Sequence, residues 1–103
     1  MPKINRKLNR DRGKAFERHI AKKIGGKRIG IIGGEDVAHE VISVEAKAVS
    51  RSTAHTWYDQ CERNAPLGKL PVVVVHKHSS KHDTDLAILN LDMFLELLNK
   101  GSK

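Results

Sequence analysis

Three side chains near the middle of the sequence have the types and spacing to do chemistry. Asp36 is followed, across one bend, by Glu45-Ala46-Lys47. Residues two apart on an extended strand point the same way, so Glu45 and Lys47 project from one face. With Asp36 on the neighbouring strand, or at its end, its carboxylate reaches the same spot. Two carboxylates held together repel, and a hard divalent cation relieves the conflict. Mg²⁺ suits this, since it takes oxygen ligands in octahedral geometry and keeps several waters. A metal-bound water can attack a phosphodiester. A neighbouring lysine can orient that water or stabilise the charge added at phosphorus. The same spacing also describes an ordinary Glu45–Lys47 surface pair, because Glu-x-Lys recurs often by chance.

Glu17 adds a third acid. Phe16, Ile20, Ala21 and Ile24 recur at helical spacing. They predict the buried stripe of a helix capped by Asp11, running to about Ile24 and stopped by Gly25-Gly26. Glu17 has Ile20, Ala21 and Ile24 at i+3, i+4 and i+7, so it edges that stripe. A carboxylate there is costly unless it is paired or metal-bound. A plain salt bridge to a nearby Lys or Arg would serve as well.

The other elements must position these residues. Residues 1–9 are basic with little periodicity and read as a flexible arm or a frayed helix start. Arg28 to Ile32 predicts a strand, Gly33-Gly34 a tight turn, and 36–38 and 40–47 two more strands. In the last of these Ile42, Val44 and Ala46 share one face, and Val41, Ser43, Glu45 and Lys47 the other. A helix follows from about Ser52 to Asn64, with Ser52 or Thr53 as cap and Ala65-Pro66-Leu67-Gly68 as stop. Leu70 to His76, with four consecutive valines, reads as a strand buried on both faces. Ser79 to Asp83 is a loop, Asp85 to Leu91 a strand, and Asp92 the expected cap of a last helix carrying Met93, Phe94, Leu95, Leu97 and Leu98. The order α-β-β-β-α-β-β-α predicts an α/β fold: a single domain over residues 11–100, behind a basic arm of residues 1–10, with a mixed sheet flanked by helices.

Taken together, a helix carrying Glu17, then Gly33-Gly34-Glu35-Asp36-Val37, then Val44-Glu45-Ala46-Lys47, resembles the PD-(D/E)XK nuclease superfamily. Its small Holliday-junction-resolvase-like branch, including short phage-type members, is the most similar. The resemblance covers about residues 11–92. It implies an αβββαβ core like that of restriction endonucleases, here followed by one more strand and helix. It further implies that Glu17 is the helix acid, Asp36 and Glu45 are metal ligands joined by Glu17, and Lys47 is the catalytic lysine. Gln60 would be the polar residue of the following helix that faces the metal. Mg²⁺ is the implied cofactor, with Mn²⁺ as substitute. The family's proline before the aspartate is Glu35 here, a competing ligand. The loop Ala48–Thr53 would lie beside the scissile phosphate, with Ser50, Arg51 and Ser52 contacting DNA; it also reads simply as a helix-capping loop.

Charge distribution agrees with a polyanionic partner. The net charge is +7 over 103 residues, yet residues 1–28 hold eleven Lys/Arg and only two acids. Arg6, Lys7, Arg10, Arg12, Lys14, Arg18 and Arg28 are the expected phosphate contacts. A solubilising basic tail is the plainer account of the same charges. The length suits one small domain. The single cysteine, Cys61, excludes an internal disulfide framework and a Cys-based zinc site within one chain. No apolar run is long enough to span a bilayer and no signal-type stretch opens the sequence, so the expected location is intracellular, in cytoplasm or nucleoid.

His76, His78 and His82 invite a zinc reading, weakened by the absence of a nearby thiolate. Trp57 reads as core or interface. The expected function is metal-dependent, structure-specific cleavage of DNA, with a Holliday junction the favoured substrate and a homodimer supplying two cuts. Another nuclease of the superfamily (nicking, repair or restriction-like) is the alternative within that class. Outside it stand a non-catalytic nucleic-acid-binding module and a structural or assembly protein.

Overall fold

The structure is a computed structural model that describes residues 6–29 and 36–101, with side chains from residue 10 onward. Helix α1 (Arg6–Ile24) is followed by strands β1 (Lys27–Arg28), β2 (Val37–Ala38) and β3 (Ser43–Val44). Helix α2 (Thr53–Asn64), strand β4 (Val73–Val75), a 3₁₀ turn (His82–Thr84), strand β5 (Leu86–Ile88) and helix α3 (Leu91–Gly101) complete the order. The sequence of helices and strands is the one expected, and the class is α/β.

Strand pairing differs from expectation. In place of one mixed sheet, the described strands form two antiparallel sheets, β1-β2-β3 and β4-β5. Each strand pairs with its neighbour in sequence through a direct return of the chain. Such returns give antiparallel pairs, whereas a parallel pair needs a crossover. The chain divides into two compact units, Met1–Ser50 and Arg51–Lys103.

The first unit is built on the apolar stripe of α1. Ile20, Ala21 and Ile24 are buried, and Val37 of β2 is fully buried. The helix ends as Gly25-Gly26 predicts. Gly25 takes φ +75°, Gly26 N–H donates to Ala21 O (2.8 Å) and Gly25 N–H to Lys22 O (3.4 Å). These are the paired bonds of a Schellman stop. Gly26 also allows β2 to approach: a Cβ there would strike the Ala38 carbonyl and lie 2.9 Å from the Val37 side chain.

Helix α1 begins at Arg6, not at Asp11. Residues 6–10 lack Gly and Pro and consist largely of strong helix formers, so the helix continues through them and Asp11 lies inside it. Part of the expected arm is therefore helical. The Gly33-Gly34 turn and Glu35 fall outside the described residues.

In the second unit Ser52 caps α2, its hydroxyl accepting from His55 N–H at 3.2 Å. Helix α3 is capped by Asn90 rather than Asp92. Asn90 Oδ1 accepts from the N–H groups of Asp92 (2.9 Å) and Met93 (3.3 Å), and Asp92 instead sits in the first turn, where its charge suits the helix dipole. The valine strand is not buried on both faces: Val73 and Val75 are half-buried but Val74 is 68% exposed. Helix α2 packs against β4, and Val74, which alternates with Val73 and Val75, points to the solvated face of the ladder. Among the described residues no helix is long and apolar enough to cross a membrane.

Candidate metal and nucleic-acid site

Asp36 stands at the entrance to β2 and is fixed by three bonds. Its carbonyl accepts from Ile29 N–H (3.0 Å) and its N–H donates to Val44 O (2.9 Å). Its carboxylate Oδ2 accepts from Ala46 N–H at 2.7 Å. Backbone and side chain thus grip the third strand on either side of Glu45. The acid expected to come from the neighbouring strand lies against the Glu45-Ala46-Lys47 segment.

Burial along that strand alternates as the sequence predicts. Ile42, Val44 and Ala46 are half-buried, while Val41, Ser43, Glu45 and Lys47 are exposed. Glu45 and Lys47 share a face closely enough to pair, with Lys47 Nζ 3.2 Å from Glu45 Oε1. Their side chains are 69% and 75% exposed. An ion pair so open to water contributes little to stability, so both groups are available to a ligand at small cost.

Glu17 is engaged differently. Its Oε2 accepts from Arg28 Nε at 2.8 Å, and both side chains are about three-quarters buried. This is the salt bridge that sequence reasoning set beside a metal role, and it occupies Arg28, an expected DNA contact. Sequence alone did not single out this partner. The sequence signal goes no further than two cations, Lys27 and Arg28, directly after the Gly25-Gly26 reversal that carries the chain back along α1; Lys27 is exposed and the half-buried Arg28 is the one that meets Glu17. Among the described residues one trio of His, Cys, Asp and Glu side chains offers atoms close enough to share an ion, and it is not Glu17, Asp36 and Glu45.

The donor set of Asp36 and Glu45 fits a hard cation: both are carboxylates, and one oxygen of Asp36 is already oriented by Ala46. The two residues could hold Mg²⁺ or Mn²⁺ with waters completing the shell.

Of the expected DNA contacts, Arg10, Arg12, Lys14 and Arg18 are exposed on α1. Arg10, Lys14, Arg18 and Lys22 recur every four residues, which on a helix makes a continuous exposed ridge. The side chains of Arg6 and Lys7 lie outside the described residues. Ser50 and Arg51 are exposed. The Ser52 hydroxyl is committed to the α2 cap and to His55 Nδ1, 2.8 Å away. Gln60 is exposed on α2, in the second unit.

No family model, curated protein or solved structure matches this chain. The functional reading therefore rests on the residues themselves.

Glu17→Gln separates the two roles open to that acid. Gln keeps the shape but loses the charge facing Arg28, so stability measured in EDTA should fall by about 1–2 kcal/mol. Urea unfolding of both proteins reads this. An unchanged midpoint together with lost cleavage would return Glu17 to the metal.

Proposed function

We propose that this protein is a metal-dependent DNA endonuclease that hydrolyses phosphodiester bonds, with a four-way junction as its favoured substrate. The observation that carries the reading is the hold of Asp36 on both sides of Glu45, beside a solvent-facing Glu45–Lys47 pair. An acid fixed against a Glu-x-Lys segment is the arrangement the nuclease resemblance requires. An αβββαβ restriction-endonuclease-like core is part of the same proposal, and the helix–three-strand–helix order is compatible with it.

Asp36 and Glu45 would hold Mg²⁺, which when bound supplies a nucleophilic water and a Lewis acid for the phosphoryl oxygen. The chain's own groups do the rest. Ala46 N–H orients the Asp36 carboxylate. Lys47, whose ammonium is open to solvent, would stabilise a non-bridging phosphate oxygen, where charge grows in the transition state. The cationic ridge of α1 supplies sequence-independent attraction for the backbone. Among the described residues no helix stands out as a reader of base edges, which favours recognition of shape and phosphate. The near two-fold symmetry of a junction suits a homodimer, and Val74, Leu86, Met93 and Leu97 are exposed apolar side chains that a second copy could cover.

Junction, flap, duplex and single-stranded substrates, cleaved side by side in Mg²⁺, in Mn²⁺ and in EDTA, test the proposal. Metal-dependent cutting of the junction above the others is the expected result. Cutting confined to another substrate would leave a nuclease with a different target. Binding without cleavage in any divalent metal would favour the second reading, a non-catalytic nucleic-acid-binding module. The pairing of both Glu45 and Glu17 with cations within the chain speaks for that alternative.

A further inference from the structure

The loop between β4 and β5 brings together three groups that the nuclease reading does not use. In the β4–β5 ladder Val75 lies opposite Leu86. One step further along the same register, His76 meets Asp85 across the mouth of the loop. The 3₁₀ turn then folds His82 back, with Asp85 N–H donating to His82 O at 3.1 Å. The turn is itself closed by Thr84, whose N–H (3.1 Å) and hydroxyl (2.7 Å) both donate to Lys81 O. Two of the three positions are thus set by sheet register and the third by a hydrogen-bonded turn.

The result is one carboxylate between two imidazoles. Asp85 Oδ1 lies 2.5 Å from His76 Nδ1 and Asp85 Oδ2 lies 3.1 Å from His82 Nδ1. The two rings stack with centroids 4.3 Å apart and planes inclined by 25°. Three ligand atoms, one from each residue, all lie within 4.8 Å of one another. His78, the third histidine of the region, is not part of the group.

We propose that His76, His82 and Asp85 form a binding site for a borderline divalent transition-metal ion, with Zn²⁺ the type case. The donor chemistry selects the ion class. Two imidazole nitrogens and one carboxylate oxygen suit Zn²⁺, Co²⁺, Ni²⁺ or Cu²⁺, whereas Mg²⁺ and Ca²⁺ demand an oxygen shell. Three protein ligands with solvent on the open side is the pattern of a site that keeps a fourth position for water. The side chain of Asp85 is 24% exposed, that of His76 36% and that of His82 85%, so the ion enters and leaves from solvent. Bound there, it ties the two strands and the turn together. The site differs in place and in ligand chemistry from Asp36 and Glu45, so it stands whether or not the chain cleaves DNA.

Cobalt titration of the untagged, metal-stripped full-length protein tests this, because tetrahedral Co²⁺ absorbs in the visible and Zn²⁺ displaces it. One equivalent should bind with that absorption and be released by Zn²⁺. His82→Ala removes an exposed ligand without touching the sheet, and Asp85→Asn keeps the shape of the carboxylate. Each should weaken binding by about 10-fold or more. Asp36→Asn and Glu45→Gln should leave the cobalt spectrum and affinity unchanged. Circular dichroism of each variant confirms that the comparison is between folded proteins. No binding to the wild type, binding that survives both His82→Ala and Asp85→Asn, or binding that follows Asp36 and Glu45 would each overturn the proposal.

Discussion

Lys47→Ala is expected to slow cleavage by about 10²–10³-fold, the range found when one group that stabilises transition-state charge is removed, while DNA affinity changes little. The side chain is 75% exposed and its partner in the resting protein is Glu45, so its loss leaves the fold intact. Asp36→Asn should abolish cleavage for a different reason. Asn still presents an oxygen to Ala46 N–H, which preserves the 2.7 Å bond and the local strand geometry. Only the anionic charge that a hard cation needs is lost. Repulsion of phosphate falls too, so binding should hold or tighten. Single-turnover cleavage and equilibrium binding, measured on the same junction, separate the two effects. A fully active Asp36→Asn protein would remove Asp36 from the site, and equal losses of binding and cleavage in Lys47→Ala would make that lysine a docking residue.

The two variants test residues that were legible in the sequence because strand parity is a local rule. Glu45 and Lys47 had to share a face, and the alternating exposure of residues 41–47 follows the period of two. The stripe of Ile20, Ala21 and Ile24 was legible for the same reason, at the helical period. Pairing partners were less so. That Glu17 meets Arg28 depends on how far the chain travels after Gly25-Gly26, and that Asp85 meets His76 depends on the register of a hairpin whose ten-residue connection contains a 3₁₀ turn. Neither distance is encoded in a local pattern. Caps failed where two candidates stood close together: Asn90 and Asp92 both have the right chemistry, and the direction of chain entry decides for Asn90. The four valines read as a strand buried on both faces because apolarity alone does not say how many faces find a covering layer: α2 packs against β4, and Val74 faces solvent.

The cationic ridge on α1 supplies the second large effect. Deleting residues 1–9 would also remove the first turn of α1, so substitution is the cleaner probe. Arg10, Lys14 and Arg18 lie on one ridge and are exposed, and Gln retains their helix propensity. Each phosphate neutralised contributes about 0.9 to the slope of log affinity against log salt. Replacing all three with Gln should therefore reduce the slope by about 2–3, with the largest loss of affinity at low salt. Arg12 supplies the control. It is exposed too, but it sits two residues from Arg10 and Lys14, and residues two apart on a helix do not face each other. Arg12→Gln should change the slope by well under one unit if DNA lies along the ridge. Cleavage by the triple variant, assayed at saturating DNA in low salt, should persist, because Asp36, Glu45 and Lys47 are untouched. Binding titrations over a range of salt concentrations give the slopes. A slope unmoved by the triple substitution would make the ridge a solvated face. An Arg12 effect equal to that of each ridge residue would mean that total charge, and not the placement of DNA along α1, sets the affinity.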